Sequence, residues 1–100
     1  MAGAVWVLAE PGETGLARIS AEVATAARVL AEAAGREAVG VVAAADQETA
    51  AGELARYVGR VLAIAEPGAR DHAWAAVAAA RVAPLAERER PACILVGATP

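Results

Sequence analysis

Residues 4–12 read AVWVLAEPG, an unbroken run of six apolar residues closed by an acid, a proline and a glycine. Six residues are too few for a stable helix, and without polar alternation the run does not fit a strand with one wet face. It reads as a parallel strand buried on both sides. The same pattern returns at 38–45 (AVGVVAAA), 61–65 (VLAIA) and 92–96 (ACILV). These runs begin 34, 23 and 31 residues apart, and each interval has room for a crossover helix.

The segment between the first two runs carries the clearest helical pattern. Ser20 stands where an N-cap belongs, Ile19 precedes it as a hydrophobic staple, and Gly35 occupies the position of a left-handed C-cap. Val23, Ala27, Leu30 and Ala34 follow helical spacing and mark the expected buried face. Glu22, Thr25, Glu32 and Arg36 fall opposite, with Glu32 and Arg36 in the favourable i to i+4 order, and Val29 interrupts that polar face. A second helix is expected from about Ala50 to Tyr57, capped by Thr49, turning Leu54 and Tyr57 inward and ending at Gly59, although Gly52 weakens it. A third starts near Asp71 with Trp74, Val77 and Ala78 buried. Pro84 predicts a kink or break in it, and Pro91 stops helix before the last strand.

Alternating strands and helices imply a parallel sheet covered on both faces by right-handed crossovers. Ligands of such sheets sit at the carboxyl ends of the strands, where the winding reverses. Those edges are EPGETG (10–15), Asp46 to Thr49, EPGARD (66–71) and GATP (97–100). EPGETG has the glycines and threonine of a phosphate loop but neither the GxGxxG spacing nor the Walker lysine. In GATP, Gly97 allows close approach to the backbone and Thr99 adds a hydroxyl at a strand exit. A tight exit that only needs small residues explains the same turn. Glu10 and Glu66 both end strands and could pair as carboxylates, an arrangement also common in ordinary turns.

Nucleophilic catalysis finds little material. Ser20 reads as a cap, Cys93 as a small hydrophobe inside a strand, and His72 as a solvated or capping residue in the first turn of a helix. Trp6 and Trp74 read as core. One cysteine and one histidine make neither a disulfide nor a structural zinc site.

Composition narrows the class further. Alanine supplies 31 and valine 12 of the 100 residues, within a hydrophobic content of 58%, so the apolar character is finely divided but sufficient for one core. The longest apolar run, Ala73 to Ala80, is far short of the ~20 residues that span a bilayer. MAGAVWVLAEPG lacks the basic leader of a signal peptide, and the expected location is cytoplasmic. All nine basic residues are arginine, a bias of a GC-rich genome. With a net charge of −3 and acids interleaved with arginines, no basic stripe is available for nucleic acid.

Four segments, in order, carry a resemblance: VWVLAE (5–10), ISAEVATAARVLAEAAG (19–35), AAGELARYVGRVLAIAEP (50–67) and RPACILVGATP (90–100). Together they resemble the N-terminal domain of the electron transfer flavoprotein alpha subunit. The first matches its opening strand ending in glutamate, the second its Ser-led helix with a Thr-Ala-Ala-Arg core, and the last its proline-led strand ending in Gly-Ala-Thr. YVGR (57–60) and Pro84 depart from the family pattern.

The resemblance implies a three-layer α/β/α fold of the adenine-nucleotide hydrolase-like kind, and an electron carrier rather than an enzyme. The family forms an alpha-beta heterodimer around one FAD, taking electrons from flavin dehydrogenases and delivering them toward a quinone oxidoreductase. Its FAD contacts lie mainly in a C-terminal domain that residues 1–100 do not include, so this segment is expected to scaffold the heterodimer with the beta subunit. Gly97, Ala98 and Thr99 are the only residues carried over, as part of the domain's active edge, and Glu10 joins them as a candidate for cofactor binding.

The fourth strand is expected beside the first in the order 3-2-1-4. That order leaves the fourth strand's outer edge open for a fifth strand, from a longer chain or from another. The alternative is a stand-alone nucleotide-binding module resembling universal stress proteins, with Glu10 as its acidic residue. An alanine-rich assembly domain that binds a partner and no small ligand is the third possibility.

Overall fold

The four apolar runs pair into one sheet. The computed structural model describes residues 3–10, 18–44, 47–65 and 74–96. Its strands are β1 (Val5–Ala9), β2 (Ala38–Ala44), β3 (Arg60–Ala65) and β4 (Cys93–Val96). All pairings are parallel and the order is β3-β2-β1-β4, as expected from the sequence. Helices α1 (Arg18–Ala34), α2 (Gln47–Leu54) and α3 (Trp74–Glu89) link them.

The two central strands are apolar throughout because both their faces are buried. Val5, Val7 and Ala9 of β1 and Val42 and Ala44 of β2 share one core with Ala24, Ala27 and Ala31 of α1 and Ala50 and Leu54 of α2. The intervening residues Trp6, Val39 and Val41 share the opposite core with Val82 of α3, with Leu85 and Ala86 packed against it. Helices α1 and α2 therefore cover one face and α3 the other. Gly40 marks the tightest approach. A Cβ there would lie 2.6 Å from Leu54 Cγ and 3.1 Å from Val58 Cγ2, so the end of α2 seats on bare backbone.

The buried face of α1 differs from expectation. Ser20, Ala24, Ala27 and Ala31 are buried, whereas Val23 is half-buried, Leu30 is 45% exposed and Ala34 is exposed. Alanine side chains let the helix axis come close to the sheet, which leaves larger neighbours on the flanks. The C-terminus is a Schellman motif. Gly35 has φ 65°, its N–H donates to Glu32 O at 3.2 Å, and the Arg36 N–H donates to Ala31 O at 2.8 Å. Arg36 lies past the helix end, and its guanidinium donates to Gly3 O at 2.7 Å in place of the expected i to i+4 pairing with Glu32 on a helix face.

Helix α2 starts and ends three residues before the expected positions. Thr49 is therefore inside the helix and exposed, not its cap. Beyond Leu54 the chain continues in turns, with the Tyr57 and Val58 N–H groups both donating to Leu54 O. Leu54 is buried and Tyr57 packs against the same core, as expected.

Helix α3 runs through Pro84 without the expected break. Ala80, Ala83 and Pro84 are all exposed, so water can meet the Ala80 carbonyl that Pro84 cannot pair. The expected inward turn of Trp74, Val77 and Ala78 lies outside the described side chains. At the far edge β4 alternates between half-buried and exposed residues, with Ile94 39% and Val96 49% exposed.

Candidate functional site

Because α1 and α2 lie on one face and α3 on the other, the winding reverses between β1 and β4. Their carboxyl ends form the topological switch point. The residue that leaves β1 there is Glu10, which is half-buried.

Alternate residues of β1 turn their backbone groups to opposite neighbours. Val5 donates to Glu37 O beside β2, and Ala4 accepts from the Ala92 N–H beside β4. Glu10 follows the last residue of β1, and its backbone is met by a side chain. Ser20 Oγ accepts from the Glu10 N–H at 2.6 Å and donates to Glu10 O at 3.2 Å. One hydroxyl thus spans both backbone groups at the strand's end, just beyond the Leu8 and Val96 pair that ends the described register. Ser20 is 2% exposed.

That arrangement corrects the expected cap. Helix α1 begins at Arg18, so Ser20 lies inside its first turn and Ile19 is helical, not a staple ahead of a cap. The serine satisfies a strand end instead of a helix end, because a buried strand terminus has backbone groups that must find partners. Glu10 is the one candidate of the active edge that the structure describes. Gly97, Ala98 and Thr99, and with them Glu66, His72 and the EPGETG loop beyond Glu10, lie outside the described residues. Cys93 is half-buried and pairs in register with Val5 at the start of β1, at the amino end of the sheet and away from the switch point.

The family model of the electron transfer flavoprotein domain matches residues 5–100. The chain belongs to the electron transfer flavoprotein domain family. A search of the curated proteins found no match. The matched span takes in all four strands and all three helices, so the parallel sheet and its switch point are this family's domain in this chain. The family is one of electron transfer proteins, which supports a related role for this chain.

The fold also fixes which end of the sheet each charge reaches, which the linear sequence does not reveal. Among the described residues, Arg36, Arg56, Arg60, Arg88 and Arg90 gather toward the amino end of the sheet, together with Glu32, Glu37, Glu53, Glu87 and Glu89. There Arg60 and Glu37 approach to 3.9 Å. The carboxyl end carries Glu10, Glu22 and Glu48 against Arg18, and Arg18 meets Glu22 at 4.0 Å. Glu48 in the first turn of α2 and Arg88 in the last turn of α3 complement the dipoles of those helices. Among the described residues Glu10, Glu22 and Glu48 against Arg18 give the switch-point edge a negative bias, which opposes phosphate. Among the described residues no group of three or more His, Cys, Asp or Glu could hold a metal ion, and no helix is long and apolar enough to cross a membrane.

Proposed function

We propose that this chain is the leading part of an electron transfer flavoprotein alpha subunit, residues 1–100 forming part of its N-terminal domain. The observation that carries this is the family match over residues 5–100. The alpha assignment rests on the sequence resemblance of the segment 19–35, with Ser20 and Thr25, Ala26, Ala27 and Arg28, and of the proline-led last strand, both in the order of that subunit. The subunit pairs with a beta subunit, receives electrons from flavin dehydrogenases and passes them toward a quinone oxidoreductase, in the cytoplasm. Bound FAD supplies the redox chemistry.

The described switch point offers a poor flavin or nucleotide site. Its hydroxyl, Ser20, is committed to the backbone of Glu10, and its edge is acidic, against the phosphates such ligands carry. In this reading FAD is held mainly by the C-terminal domain of the subunit, and this segment scaffolds the heterodimer. The same acidic edge weighs against a universal-stress-like nucleotide module.

Two measurements on the native protein test the proposal. Tagged protein isolated from its source is expected to carry a second flavoprotein subunit in equal amount, and ATP titration followed by tryptophan fluorescence is expected to show no saturable response. A single colourless chain that binds ATP in the micromolar range would overturn it.

A further inference from the structure

We draw no further inference here: the strongest candidate, the open outer edge of β4 with Ile94 and Val96 exposed beside it, is an unpartnered apolar strand, and nothing in the structure shows what covers it.

Discussion

The Ser20 hydroxyl spans the N–H and C=O of Glu10, ten residues earlier in the chain, at 2.6 and 3.2 Å. It pins the first turn of α1 to the end of β1 and sets where the strand stops. The position of Glu10 at the switch point follows from that contact.

Replacing Ser20 by alanine leaves both backbone groups of a half-buried residue without this partner. The expected loss is about 1–3 kcal/mol of stability, measured by urea denaturation of the native protein. Ser20→Thr, which keeps the hydroxyl but adds a methyl beside the sheet, should retain the two hydrogen bonds at some packing cost. A loss under about 0.5 kcal/mol for Ser20→Ala, the range of an ordinary surface change, would show that the contact is dispensable.

Gly40→Ala is expected to destabilise by about 1–3 kcal/mol through overpacking, because its Cβ would overlap Leu54. Truncating that neighbour relieves the clash. In a double-mutant cycle, Gly40→Ala should cost clearly less in a Leu54→Ala background than alone. Strict additivity would contradict the close approach of α2 to β2.

Helix α1 offers a paired test of which side faces the sheet. Ala27→Leu adds bulk to a fully buried position and should cost about 1–3 kcal/mol. Leu30→Gln, on the exposed flank, should change stability by no more than about 0.5 kcal/mol. A loss for Leu30→Gln as large as that for Ala27→Leu, read from thermal or urea unfolding, would restore the face predicted by the sequence pattern.

Trp6 is buried and, among the described residues, its indole Nε1 has no hydrogen-bond partner. A buried donor left unpaired is costly, so its removal offsets part of any packing loss. Trp6→Phe should therefore stay within about 1 kcal/mol of the parent, while Trp6→Ala should lose about 3–5 kcal/mol by leaving a cavity. A loss for Trp6→Phe approaching that of Trp6→Ala would indicate that the indole N–H is satisfied.

The strands and their order were legible because β1 and β2 are buried on both faces, and only an unbroken apolar run meets that requirement. Gly35 was legible too, since a Schellman turn needs a residue tolerant of positive φ. The face of α1 was not. Val23 and Leu30 dominate any hydrophobic stripe, yet the contact is made by alanines, whose value lies in their small size and not in their apolar area. Pro84 misled for a related reason. Its cost to a helix depends on whether the orphaned carbonyl can reach water, which sequence spacing does not reveal.

Of the candidate site, the place of Glu10 at the end of β1 was legible because a strand-ending acid can be read locally. The role of Ser20 was missed, since a serine near a helix start suggests a cap and its actual partner is set by tertiary packing. The acidic edge was hidden as well. Which end of the sheet each acid or arginine reaches is set only when all strands run parallel and all helices run back.

The central claim is that this chain is part of a flavin-carrying heterodimer. The visible absorption spectrum of the native protein, with flavin and both polypeptides quantified in the same sample, tests it most directly. The account predicts flavin bands and one FAD per pair of unlike chains. A native protein without flavin absorbance, or one whose flavin is fully retained on this segment alone, would contradict it.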